Sequence, residues 1–215
     1  MNILESEEVS VLKKQLLNKL NENISLFENE LEKHENAIPV WHYATDEYYT
    51  PIPLFHELDK LKRGRLLKKL MFEERFEKTN TFSFGFSGEN LLLLTQHSNG
   101  KGLGINSKVY KHYEDGTIEY FLIRTYFENE FPSKLVSLGI LDKSQPSKYI
   151  DVRITNDNSN WSSTVYQLDN ENNIDKVFRY ASGWNGQTEY NIEYTDGILS
   201  KIKIGTIDWW KAKSK

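Results

Sequence analysis

The chain has 215 residues, 38% of them hydrophobic and 27% charged, enough for one substantial core. Its lack of cysteine excludes a disulfide framework, a thiolate metal site and a cysteine nucleophile, and points to a reducing, cytoplasmic compartment. A formal charge of −4, from 27 basic and 31 acidic residues, gives no whole-molecule field that attracts nucleic acid and favours a basic partner over an acidic one.

The opening MNILESEEVSVLKK places acids where a signal peptide needs a basic start, and no apolar run reaches the ~18 residues of a membrane span, so neither export by that route nor insertion is expected. With 21 Lys against 6 Arg, and 19 Asn, the composition is that of AT-rich coding, as in low-GC bacteria and their phages. From Ser6 to about Glu35, Val9, Leu12, Leu16, Leu20, Ile24, Phe27 and Leu31 recur every three or four residues and predict one long helix capped by Ser6. Such a helix would be on the order of 45 Å long. It would need a long sheet face, a second helix or another subunit to cover its stripe. Pro39, Pro51 and Pro53 make the following AIPVWHYATDEYYTPIP an irregular, aromatic-rich crossing. A second helix is predicted from Leu54 to about Lys78, with Gly64 as its weak point.

After Asn80 the period changes to alternation, and nine strands are expected: TFSFGFS, ENLLLLTQ, LGINSKVY, TIEYFLIRTYF, KYIDVRIT, STVYQLD, DKVFRYA, TEYNIEY and ILSKIKIG. A short helix, FPSKLVSLGIL near 131–141, is expected between them. The fold class that follows is α+β, two N-terminal helices packed on a mostly antiparallel sheet of roughly seven to nine strands. Residues 1–78 form its helical segment and 79–215 its β-rich segment, in one composite domain.

Three stretches share a shape: VYKHYEDGTIEYFLI, VYQLDNENNIDKVFRY and YNIEYTDGILSKIKI. Each is a strand, a turn of Asp with Gly or Asn, and a second strand, because such pairs accept the positive φ of tight hairpin turns. Their succession predicts an antiparallel meander. In this the segments resemble YD-type and MORN-type repeats, in which tyrosine and glycine punctuate short hairpins; the likeness covers these three segments, without a constant period, and implies no function.

No stretch completes a catalytic or metal motif. In HSNGKGLGINSK, residues 97–108, the glycines lack the GxxxxGK order of a phosphate loop and lead into a strand, so a hairpin loop is expected. Asp169, Glu171 and Asn173 imitate a calcium loop, but Ile174 stands where its glycine belongs and Tyr180 where its bidentate glutamate belongs. His42, Asp46, Glu47, His56 and Glu57 offer ligand types without ligand spacing, so no metal and no cofactor is expected. Asp151 with Arg153, and Glu189 with Glu193, sit at strand spacings that suit surface pairs. Lys62, Arg65 and Lys69 in KLKRGRLLKK would share a helix face, expected to be solvated, with phosphate contact as the alternative.

The most distinctive property is aromatic surface: Trp41, Tyr43, Tyr48, Tyr49, Trp184, and one of Trp209 and Trp210, since neighbours on a strand point to opposite faces. The expected function is therefore a cytosolic, non-enzymatic protein-binding module, by class analogy an immunity or antitoxin protein that occludes a basic toxin domain through Trp184, Tyr190, Asp157, Glu189 and Glu193. The alternatives are an enzyme or binding protein for nucleic acid or a phosphorylated ligand, using the basic segment with His97, His112 or the His42 group, and a homo-oligomer formed through the first helix.

Overall fold

The computed structural model describes residues 2–3, 6–68, 81–98, 104–127, 131–157 and 160–212. Helices α1 (Glu7–Lys19) and α2 (Ile24–Ala37) precede β1 (Val40–Thr45), the single turn α3 (Phe55–Leu58) and β2 (Thr81–Phe86). Strands then follow without interruption: β3 (Leu92–Ser98), β4 (Ile105–His112), β5 (Ile118–Thr125), β6 (Lys134–Gln145), β7 (Lys148–Thr155), β8 (Trp161–Leu168), β9 (Ile174–Ala181), β10 (Thr188–Thr195), β11 (Ile198–Ile204) and β12 (Ile207–Lys211). All twelve form one antiparallel sheet in chain order. The fold is the α+β architecture of helices on an antiparallel meander. The three hairpins read from the sequence are β4–β5, β8–β9 and β10–β11. Among the described residues, no helix is long and apolar enough to cross a membrane.

All three expected helices differ from expectation, and VWHYAT of the expected irregular crossing is strand β1. The single helix over 6–35 is two. Leu20 ends α1 and Asn23 restarts the chain, its side chain accepting from the Ser25 amide at 3.1 Å as an N-cap. The apolar stripe runs through the break, so both pieces lie on the sheet, with Val9, Leu12, Leu16, Phe27 and Leu31 all buried. The helix predicted over 54–78 is one turn followed by non-helical chain to residue 68, and 69–78 lie outside the described residues. Here pairing overrides propensity: Thr45 donates to the Arg65 carbonyl at 3.0 Å and Leu67 to the Tyr43 carbonyl at 2.8 Å, so 65–67 line the outer edge of β1. Gly64 permits this approach, because a Cβ there would collide with the Thr45 carbonyl. The helix near 131–141 is strand β6, whose apolar residues Leu138, Ile140 and Leu141 are claimed by both faces of a sheet centre.

The sheet is rolled. Neighbouring strands lie ~4.8 Å apart, so twelve in a plane would separate β1 from β12 by roughly 50 Å. Yet Trp209 of β12 donates from Nε1 to the Leu58 carbonyl at 2.9 Å, while Arg65 is bonded to β1. The chain from Leu58 to Arg65 reaches at most about 25 Å. The two edges therefore curl toward each other, and the crossing of residues 46–68 lies across the inner face. One core forms between the outer face and α1/α2, around Leu94, Val109, Phe121, Leu138, Val152 and Val165; the other forms between the inner face and the crossing, around Phe84, Tyr110, Tyr120, Tyr166, Tyr190 and Ile202.

Candidate functional site

The inner face carries the molecule's buried charge. Along β7, Ile150, Val152 and Ile154 point to the helices, so Asp151 and Arg153 alternate onto the inner side. Tyr120 on β5 reaches them across β6 because Gly139, its register partner, has no Cβ to block the ring. Tyr120 donates to Asp151 Oδ1 at 2.5 Å, and Arg153 Nε donates to both Tyr120 Oη at 2.7 Å and Asp151 Oδ2 at 3.0 Å. Burial opposes the charge on Arg153, but Asp151 and the tyrosines outweigh it and hold the guanidinium protonated. Burial, reinforced by Asp151, pushes the Tyr120 phenol well above its ordinary range. The surface pair expected at Asp151 and Arg153 is instead a core triad, with Asp151 only 3% exposed.

Beside the triad lies a cleft of about 220 Å³ between sheet and crossing, lined by Glu47, Thr95, His97, Lys108, Ser137 and Arg153, with Phe82, Tyr120 and Leu122. Lys108 enters from β4; its Nζ stands 3.8 Å from Glu47 of the crossing and 5.4 Å from the Tyr120 ring centroid. Burial draws its pKa below the ordinary lysine value, with Glu47 opposing. His97 stacks on Phe82 with centroids 4.5 Å apart. Arg124 Nε donates to Asn106 Oδ1 at 2.9 Å, which turns the Asn106 amide nitrogen toward His97 Nε2 at 3.1 Å. That imidazole nitrogen then accepts, and the ring proton belongs on Nδ1. Burial, then the charges of Arg124 and Lys108, lowers the His97 pKa and favours this neutral form.

The other histidines go to separate partners. His56, 4% exposed, meets the Glu47 carbonyl at 2.6 Å; His112 meets the Leu92 carbonyl at 2.7 Å; His42 lies edge-on to Phe86 at 5.3 Å. Asp46 sits at φ 57°, at the entry to the crossing. Among the described residues, no three His, Asp or Glu side chains converge as metal ligands. Lys62 and Arg65 are exposed on non-helical chain, so the helical face they were to share with Lys69 does not form; Lys69 lies outside the described residues. Of the glycine-rich loop, residues 99–103 also lie outside them, and β4 begins at Ile105.

The predicted contact residues divide. Tyr190 is 3% exposed and packs 5.8 Å from Trp209, so it belongs to the inner core and not to a contact surface. Glu189 pairs with Lys176 at 3.4 Å, and Glu193 with Lys203 at 2.5 Å. Trp184, 41% exposed, occupies the β9–β10 turn, and Asp157, which accepts from Thr155 Oγ1, the β7–β8 loop. In a meander, those connections share one end of the sheet with β5–β6 and β11–β12. Phe127, Phe131 and Ile207 stand exposed there, giving a rim of Phe127, Phe131, Asp157, Trp184 and Ile207 at connections about 10 Å apart. Trp209 and Trp210, expected to point apart, both pack on the inner core, because a bulge pairs Ile202 with Trp210 and Lys203 with Asp208. Sequence reasoning missed Lys108, Thr95, Ser137 and Tyr120. The available signal was a polar or charged residue repeatedly occupying every second position of otherwise apolar strands. No protein-family model, curated protein or solved structure matches the chain, so the likeness of its hairpins to YD-type and MORN-type repeats extends to hairpin shape alone.

Proposed function

We propose that the chain is a non-enzymatic binding protein of the immunity type, which docks on another protein in the cytoplasm and occludes its surface. The observation that carries this reading is the rim. Phe127, Phe131, Trp184 and Ile207 are 50%, 58%, 41% and 68% exposed at one end of a single sheet, the first three on its connections and Ile207 at the start of β12. Among the described residues the opposite end exposes Leu91, Tyr113 and Ile198, but this end carries the exposed phenylalanines and tryptophan, and aromatic side chains dominate binding energy because each covers a large area with few rotatable bonds. Asp157 and the net charge of −4 favour a basic partner. The acids of the last four strands contribute less than the sequence suggested, because Glu189 and Glu193 are matched by lysines.

The experiment is co-purification from the native host with mass identification of the retained protein, followed by titration of that protein. Trp184→Ala and Ile207→Asp should each weaken binding by at least roughly tenfold, the size expected of interface anchors. Binding of the identified partner that ignores both substitutions would move the interface off the rim, and turnover of a substrate by the isolated chain would overturn the non-enzymatic reading.

A further inference from the structure

The cleft beneath the crossing has more donors than its own side chains can satisfy. The Lys108 ammonium offers three, and Glu47, its carboxylate neighbour, stands at 3.8 Å, too far for a well-formed hydrogen bond. Arg153 uses only Nε within the triad, and among the described residues its Nη1 and Nη2 make no hydrogen bond. The Thr95 hydroxyl, on a residue 3% exposed, makes no well-formed hydrogen bond although the Tyr110 phenol lies beside it, and the neutral His97 ring keeps its proton on Nδ1. Ser137 adds another hydroxyl to the lining. Against these, Tyr120 Oη is already saturated, donating to Asp151 and accepting from Arg153. Both cations stand within reach of the same ring, Lys108 Nζ at 5.4 Å and Arg153 Cζ at 5.7 Å from the Tyr120 centroid. A buried donor left unmade costs free energy, as at Thr95, and the Lys108 and Arg153 donors, on side chains 18% and 31% exposed, are open to an acceptor-rich guest.

We propose that this cleft is a binding site for a small oxyanion, a carboxylate or phosphate group, held between Lys108 and the free Nη edge of Arg153. The guanidinium edge matches two oxygens of either group, and the ammonium supplies the point charge beside it. Phe82 and Leu122 on the wall would receive a short apolar remainder. At about 220 Å³ the space suits a headgroup with few further atoms, below the ~300–1,000 Å³ of pockets for larger ligands. Glu47 is the resident anion that a guest must work against. The site is independent of the rim, which lies on the sheet's connections.

The test is isothermal titration of the full chain with inorganic phosphate and, separately, with benzoate at matched ionic strength. Saturable binding of at least one probe below about 10 mM is expected. Phosphate alone would assign a phosphorylated guest, and benzoate alone or preferred an organic carboxylate. Lys108→Met, which keeps the stem and removes the charge, should weaken that binding by at least roughly tenfold. Glu47→Gln should strengthen it, a gain that misfolding cannot imitate. Failure of both probes to bind, or binding indifferent to both substitutions, would overturn the proposal.

Discussion

The two faces of the sheet are covered by different kinds of chain, and their contents differ accordingly. The outer face meets α1 and α2, whose backbone groups are satisfied within the helices, and its core is almost wholly aliphatic and phenylalanine. At its margins Lys148, 2.7 Å away, and Ser6 hold the Glu8 carboxyl down to about 2 and Lys19 meets Glu119 at 2.6 Å, while beneath α2 the buried Gln96 donates to Glu35 and, at 3.0 Å, to Ser107. The inner face meets the irregular crossing, whose carbonyls and amides need partners from elsewhere. Trp209 and Arg179 reach the Leu58 carbonyl, His56 reaches that of Glu47, and Arg179 pairs with Asp59 at 2.8 Å. The helices ask little of the sheet beneath them, Gln96 donating to Glu35 being the exception, whereas the crossing of irregular chain draws charged and ring donors to its carbonyls.

The largest expected effect separates the two faces. Asp151→Ala leaves Arg153 buried without its carboxylate and should cost about 3–5 kcal/mol in urea unfolding, while pairing it with Arg153→Met should return most of that loss. If the single and double variants are equally destabilised, the inner face is held by packing as the outer one is. A smaller effect concerns pH. His97 has a folded pKa below its ordinary 6.5, so the unfolded chain binds its proton first. The contribution of neutral His97 is complete above pH 6.5 and declines as pH falls from 6.5 through the folded value. His97→Gln should flatten the dependence of the urea midpoint on pH between about 7 and 5. The smallest effect belongs to the outer face: Asn23→Ala removes the cap of α2 and should lower stability by about 1 kcal/mol without changing the pH profile.

Much of the architecture was legible from residues alone, because alternation and hairpin turns are local signals. TFSFGFS, KYIDVRIT and TEYNIEY become β2, β7 and β10 nearly residue for residue. The errors fall where a distant partner decides. KLVSLGIL carries apolar residues on both sides, a pattern shared by a buried helix and a central strand, and only neighbours β5 and β7 select the strand. VWHYAT reads as irregular from its prolines, yet it is strand β1 because β2 lies beside it. Asp151 and Arg153 alternate as a surface pair would. That their face is covered depends on residues 46–68 crossing it, which no local pattern announces. Trp184 and Asp157 were chosen from chemistry, but their placement at the same end as Phe127, Phe131 and Ile207 follows from strand order.

The stitching of residues 65–67 along β1 leaves the sheet lopsided. Among the described residues, β12 is paired only with β11, while on the opposite border the main-chain groups of Tyr43 and Thr45 are taken up by residues 65–67. A strand adding at the β1 border would first have to displace residues 65–67, so among the described residues the two borders of this rolled meander differ in their openness to the edge-to-edge stacking that threatens bare sheets.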